Sequence, residues 1–412
     1  MTGPLVRDPD FARLWTVGLV GFFVRWMEIL VFGVFTYQET GSAFLVASMT
    51  MLRLLPLALF GVAFGALAAR IRRRTGLVVV QAVLTATSLA LLAVAAAGHL
   101  AVWHLAVASV INGIAWAGDN PLRRALIGDV AGPARMGNAM ALDVGSSNAS
   151  RLAGPGIGGL LLAYAGMPAV LGLVAVLYVL AMAAVVPVRD RPVPRDGTER
   201  TLRATLAAGF LAARDSPRLA GTLWITLLFN IFGWPVLSMV PVIGKDRLGL
   251  GADGIGLLAS MEGVGTLIGA AALAVWSRPA RYGRIYVSGL VLFLAMLPLF
   301  ALSPHPLAAA AALLMLGIGQ AAFSVMQATL VFVAAPPDRR VQAMGVLTMC
   351  IGTGPIGFLM LGWLAERLGA SAASVLCAAL GLAALAVSWP WWRACWRDDG
   401  REQPSSAPST PP

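Results

Sequence analysis

Uncharged apolar runs of membrane-crossing length recur along almost the whole chain. Leu77 to Gly98 is interrupted only by Gln81, Thr85, Thr87 and Ser88, and Leu307 to Ala335 only by Gln320, Ser324, Gln327 and Thr329 besides small residues. A window of about 20 apolar residues is what an α-helix needs to cross a hydrocarbon core. That rule gives about twelve spans, near 13–37, 44–69, 76–97, 101–127, 137–162, 167–187, 219–242, 253–277, 284–302, 306–333, 341–365 and 370–392. The fold class expected is therefore an all-α membrane protein of two six-helix halves, 1–187 and 219–393. Between them lies a Pro/Arg-rich surface linker, 188–218, in which Leu202, Leu206, Phe210 and Leu211 form an amphipathic piece. The Pro/Ser-rich stretch 394–412 reads as a disordered tail.

Composition supports this. The chain is 58% hydrophobic and 12% charged, with a mean hydropathy of +0.81. Soluble domains carry roughly 25% charged residues. Asp8, Asp10 and Arg13 ahead of a full-length span argue against a cleavable signal peptide. Cys350, Cys377 and Cys395 show neither metal spacing nor a disulfide framework, and read as small packing residues.

The net charge of +11 raises nucleic acid as a partner, but its distribution argues against one. With the N-terminus cytoplasmic, 24 of the 30 basic residues fall on that side and only Lys245, Arg247 and Arg367 on the other; Arg25, Arg53 and Arg151 lie within spans. Such asymmetry marks the cytoplasmic face, and anionic lipid accounts for the rest. The expected location is the inner, cytoplasmic membrane, with multiple passes and both termini inside.

The chain also repeats. Asn120-Pro121-Leu122-Arg123-Arg124 and Gly154-Pro155-Gly156-Ile157-Gly158 around spans 4 and 5 have counterparts in Pro336-Pro337-Asp338-Arg339-Arg340 and Gly354-Pro355-Ile356-Gly357 around spans 10 and 11. Parallel halves related by an axis along the membrane normal produce such spacing. Gly and Pro weaken helix hydrogen bonding and let helices approach, either for packing alone or, as the paired copy suggests, for a conformational cycle. These residues resemble the major facilitator superfamily. Gly65 to Arg74, including Arg70, is similar to the superfamily's signature between spans 2 and 3, although Ala69 occupies the acidic position thought to latch the halves, and Arg72 that of the second glycine. Gly154-Pro155-Gly156-Ile157-Gly158-Gly159 resembles the fifth-span signature of proton-exchanging drug exporters, with Ser150 in place of its upstream glycine. Tyr37-Gln38-Glu39-Thr40-Gly41-Ser42-Ala43 with Leu55-Pro56 is similar to the enterobactin-type siderophore exporter branch. The resemblance covers roughly 13–392 and implies a cavity lined by spans 1, 4, 7 and 10.

Ionisable groups at mid-bilayer cost roughly 2.5–3.5 kcal/mol each on insertion scales and mark function unless they are paired. Arg25, Arg53 and Arg151 are fixed positive charges, because arginine does not release its proton in proteins. Glu28, Glu262 and Asp119 are the candidate proton carriers. Glu28 ranks first, because Arg25 lies one turn away and span 1 is expected to line the cavity. The competing reading makes Arg25 and Glu28 a static i,i+3 pair, with Arg151 held by Glu28 or Glu262. Asp143 is expected to be solvated. Asn112, Trp116 and Asp119 on span 4, and Gln320, Ser324 and Gln327 on span 10, share the i, i+4, i+7 spacing that places each trio on one helix face. Asn230 and Trp234 on span 7 join them as candidate cavity walls, against the alternative of interhelical hydrogen bonds that hold the bundle. Trp389, Trp391, Trp392 and Trp396, with Arg393 and Arg397, read as an interfacial belt.

No Walker element is present, and no catalytic residues, metal or cofactor are expected. The reading is a monomeric secondary transporter, not an enzyme, with a small-molecule substrate, protons and membrane lipids as partners. Proton-coupled efflux of a moderately hydrophobic molecule (a drug, siderophore or secondary metabolite) ranks first. An importer or facilitator of a polar metabolite and a non-transporting sensor are the alternatives. A reporter fused after Asp399 should be active only if it works in the cytoplasm; activity confined to a periplasmic reporter contradicts the topology.

Overall fold

The computed structural model describes residues 5–189, 210–336 and 339–396, apart from the side chains of 61–70, 133 and 341. The tail, the two motif residues Pro337 and Asp338, and most of the linker, with Leu202 and Leu206, lie outside the described residues.

Helix α1 (Pro9–Thr40) starts where the Asp8 carboxylate accepts from the backbone N–H groups of Asp10 and Phe11, and ends at Gly41, whose φ of 64° suits glycine. It is followed by α2 (Ala43–Arg70), α3 (Arg73–Ala96) and α4 (Val102–Ala131). The continuous stretch Met136–Val185 breaks at Gly166, with φ 75° and Pro168 two residues on, into α5 (136–165) and α6 (167–185). The second half comprises α7 (Pro217–Asp246), α8 (Ala252–Trp276), α9 (Tyr282–Leu302) and α10 (Pro306–Ala334). It continues with α11, in two pieces (Arg340–Ile351 and Gly354–Leu368), then α12 (Ala370–Val387) and a short α13 (Trp389–Trp396). Among the described residues ten stretches are long and apolar enough to span a membrane, one of them the broken pair α5–α6. With that pair counted as two, and with α4, whose charges lower its hydropathy, the total is twelve in two halves.

Two helices depart from the expected spans. α7 passes through a π turn at Phe229–Gly233 and a 3-10 stretch at Trp234–Met239. Pro235 and Pro241 each lack the N–H that a regular helix requires there. Span 12 ends at Val387, and α13 turns back onto α7. There Trp392 is buried and donates Nε1 to the Leu385 carbonyl, and Trp391 meets Trp224 edge to face at 4.8 Å. Of the expected tryptophan belt, Trp392 is thus buried against protein, while Trp391 stays 62% exposed.

One core, with Phe11, Leu77, Leu105 and Val174, lies in the first half; the other, with Ile225, Phe293, Leu313 and Phe323, lies mostly in the second and takes in Leu30, Val34 and Val46 of α1 and α2. Lipid supplies no hydrophobic drive for helix association, so small residues set the approach. A Cβ on Gly289 of α9 would lie 2.8 Å from the Gly319 carbonyl of α10. The outward faces are apolar and exposed, as at Leu307 (85%) and Val387 (83%).

Contacts between the halves cluster from mid-depth to the side opposite the N-terminus. A Cβ on Gly159 of α5 would stand 2.7 Å from the Gly256 Cα of α8. Further out, the Tyr37 hydroxyl hydrogen-bonds to Asp246, and Glu366 of α11 accepts from Ser42 Oγ at 3.1 Å and from the Phe44 N–H at 3.2 Å. Glu366 therefore caps α2 from across the divide. A side chain at position 159 should wedge this closure open. Spin labels at Gln38 and Leu368 in Gly159→Leu should sit farther apart than in the parent protein, and an unchanged distance distribution would count against glycine-mediated closure.

Candidate functional site

Three charge clusters occupy the membrane interior. In the first, Arg53 of α2 donates Nη2 to Glu28 Oε2 of α1 at 2.5 Å, and Asn112 of α4 donates Nδ2 to the same oxygen at 3.0 Å. All three residues are buried. α2 and α4 are in backbone contact here, since a Cβ on Gly113 would meet the Arg53 carbonyl. Glu28 thus takes its partner from the facing helix rather than from Arg25 one turn away. Arg25 instead lies over the Trp116 ring at 4.1 Å and near the Phe22 ring at 5.5 Å.

The second cluster joins the halves. Arg151 of α5 donates Nε to Glu262 Oε2 of α8 at 2.6 Å. Thr266 donates to Glu262 Oε1 at 3.1 Å, and the guanidinium lies over Trp26 at 4.4 Å. Arg151 Nη2 is buried without a hydrogen-bond partner among the described residues. Pro155, four residues on, also leaves the Arg151 carbonyl without its helical N–H.

The third cluster lies nearer the N-terminal side. Arg123 of α4 is 1% exposed; it binds Asp143 of α5 and, through Nε, Asp119 at 3.3 Å. Arg124 donates to the second Asp143 oxygen at 3.2 Å, and Gln81 of α3 to Asp119 at 3.3 Å. Asp143 is therefore buried and doubly paired rather than solvated. Gly18 of α1 makes room for this guanidinium, whose Cζ would lie 2.8 Å from a Cβ there. Outside the span, Arg73 of the loop signature pairs with Asp129 at 2.6 Å. The side chain of Arg70 and the surroundings of Gly65 lie outside what the structure describes.

The polar trios divide. Gln327 donates to Thr226 Oγ1 at 3.1 Å and Asn230 to the Thr226 carbonyl at 2.8 Å, both within the C-terminal bundle. Ser324 bonds back to the Ala321 carbonyl at 3.4 Å, and Gln320 is buried. None of these four, nor Asn112, Trp116 or Asp119, lines the cavity between the halves. That cavity encloses about 770 Å³, measured to its open mouth. Its wall is mostly apolar: Trp26, Ile29, Leu30, Val46, Pro155, Trp234, Leu237, Ala259, Leu313 and Phe358, with Thr50, Ser238 and the Arg151–Glu262 pair. Trp26, Thr50, Ser238 and Phe358 escape sequence reasoning; the one signal for them is the Gly-Trp-Pro break in α7, which turns Trp234 edge-on to Phe358 at 5.8 Å.

The Gly-Pro elements differ between halves. α5 runs through Pro155 unbroken, with two glycine faces. Gly154 and Gly158 pack on α1 at Phe23 to Val31, and Gly156 and Gly159 on α8 at Ser260 and Gly256. α11 breaks at Gly352–Thr353, so that Pro355 opens a new helix, and a Cβ on Gly354 would lie 3.7 Å from the Trp234 ring.

The model of the Major Facilitator Superfamily matches residues 14–354, and again 223–411. The chain belongs to the Major Facilitator Superfamily. It is a transporter and not an enzyme. No curated protein matches it. Among solved structures it is similar to an inward-facing, unoccupied bacterial homologue of the human lysosomal transporter Spinster, at 14% identity and TM-score 0.75, over 96% of this chain and 99% of that one. It is also similar to the nucleoside transporter NupG, at 12% and 0.73 over 93% and 98%. A third is a POT family transporter in complex with 5-aminolevulinic acid, at 11% and 0.75 over 93% and 96%. At these identities the likeness is one of fold.

Removing one partner of a buried ion pair strands the other, at a cost of about 3–5 kcal/mol, whereas replacing both with apolar residues is often neutral. Glu28→Ala should thus lower the thermal midpoint in detergent far more than Glu28→Met combined with Arg53→Met. Equal losses would mean that the pair contributes through packing alone.

Proposed function

We propose that this superfamily member is a proton-coupled exporter of a moderately hydrophobic small molecule, working by alternating access in the cytoplasmic membrane with both termini inside. The observation that carries the reading is that the ion pair in the wall of the apolar cavity, Arg151–Glu262, is also a bridge between the halves. A proton shifts a conformational equilibrium only if it binds the two states differently. At Glu262 it has that property: the carboxylate faces Arg151 while the halves are joined, and protonation removes the charge that joins them. Glu28, Arg53 and Asn112 form a comparable centre within one half, so a proton on Glu28 alters no bond across the interface. Glu262 therefore ranks ahead of Glu28 and Asp119 as the coupling residue.

The aromatic and aliphatic wall supports an amphipathic substrate over a polar metabolite, which would leave most of its hydrogen-bonding groups unpaired there. The exporter direction and the siderophore-exporter branch rest on the fifth-span signature and the Tyr37–Ala43 stretch. In proteoliposomes, Glu262→Gln should abolish accumulation driven by an imposed pH gradient while preserving energy-independent substrate exchange. Glu28→Gln should retain pumping. Continued pumping by Glu262→Gln would move the coupling elsewhere.

A further inference from the structure

The cavity wall is electrically neutral. Its two ionisable residues, Arg151 and Glu262, are bonded to each other at 2.6 Å. The other charges at depth balance as well. Arg25, Arg53 and Arg123 stand against Glu28, Asp119 and Asp143, with Asp119 acting on Arg25 as well as on Arg123. Among the described residues, no charge is left over at the cavity for an ionic ligand to neutralise.

The wall also carries two hydroxyls, one from each half. Thr50 of α2 makes no hydrogen bond to another described residue. Ser238 of α7 donates to the Pro235 carbonyl at 2.7 Å, which leaves its oxygen free to accept. The aromatic rings are already engaged: Trp26 carries the Arg151 guanidinium over its face at 4.4 Å, and Trp234 meets Phe358 edge to face at 5.8 Å. An anion would have to draw Arg151 away from Glu262, and a cation would have to draw Glu262 away from Arg151. Either exchange strands the partner left behind in an apolar wall. A neutral polar group can hydrogen-bond to the hydroxyls and leave the bridge intact.

We infer that the transported molecule is uncharged when bound: an aromatic or aliphatic body with a neutral carbonyl, amide or hydroxyl group that hydrogen-bonds to Thr50 and Ser238. Trp26, Trp234 and Phe358 take the body. Thr50, whose hydroxyl has no competing partner, is the residue that selects for the polar group. This rests on the reading of the cavity as the seat of a moderately hydrophobic substrate, and not on the direction of transport. It also agrees with proton-for-substrate exchange, in which the molecule occupies the carrier while Glu262 is unprotonated and the wall is neutral.

The test is equilibrium dialysis of the purified full-length protein in detergent at neutral pH, with empty micelles as the blank, against three matched probes: neutral 2-naphthamide, anionic 2-naphthoate and cationic 2-naphthylmethylamine. The cost of stranding a buried charge predicts naphthamide binding at least roughly 10-fold tighter than either ion. Thr50→Val should weaken naphthamide about 2- to 10-fold, the range of one neutral hydrogen bond, and Thr50→Ser should restore it. Glu262→Gln leaves Arg151 without its counter-charge, so naphthoate should then bind ahead of naphthamide. Tighter or equal binding of either ion by the parent protein overturns the neutral assignment alone, as does an unchanged order in Glu262→Gln. Naphthamide affinity unmoved by Thr50→Val overturns the selecting role of Thr50. No measurable binding of any probe at millimolar concentration overturns the assignment together with the reading of the cavity on which it rests.

Discussion

The Arg151–Glu262 bridge exists because α5 and α8 touch backbone to backbone. Gly156 and Gly159 on one helix, and Gly256 and Gly263 on the other, remove the side chains that would hold the axes apart. A guanidinium and a carboxylate then meet at 2.6 Å across the join. Neither charge could stand alone in a low-dielectric interior at acceptable cost. Closure of the side opposite the N-terminus and the position of the cavity both follow from this approach. The opposite face of the same helix, with Gly154 and Gly158, seats α1 and so places Trp26 beneath Arg151. One helix whose two contacting faces carry glycine sets the geometry of the whole centre.

The N-terminal half is held differently. Its helices are joined by ion pairs that do not cross to the other half: Glu28 to Arg53, and Arg123 to Asp119 and Asp143. Gly18, with no side chain of its own, admits Arg123, the largest fully buried side chain among the described residues. The Glu28–Arg53 pair is mutually dependent, because removal of either member strands a buried charge. A half built this way is suited to move as a unit.

The bundle itself was legible from the sequence, since apolar run length is a one-dimensional signal. The charged residues at depth were legible for the same reason, as isolated exceptions. Their partners were not. An i,i+3 spacing suggested Arg25–Glu28, but a facing helix brought close by Gly113 supplied Arg53 instead, and no sequence spacing encodes that distance. Asp143 looked solvated because it lies near a helix end; Arg123 and Arg124 reach it from α4. The polar trios were real helix faces, yet one-helix periodicity does not say which neighbour a face meets, and Asn230 and Gln327 turned out to share Thr226. The break in α7 was written in Gly233-Trp234-Pro235 and Pro241, but Gly and Pro also occur in intact helices such as α5.

The two halves are alike in plan and unlike in stiffness. On the cavity, the first half presents the continuous α1, α2 and α5; the second presents the continuous α8 and α10 beside α7 and the second piece of α11, with a π turn and a 3-10 stretch in α7 and a two-residue interruption before that piece of α11. Bending is cheapest where helical hydrogen bonds are already unmade. A load placed between the halves is therefore gripped by a lever on one side and a spring on the other. Flexing of α7 and α11 would reshape one wall, while α1 and α5 hold Trp26 and Arg151 in place on the other.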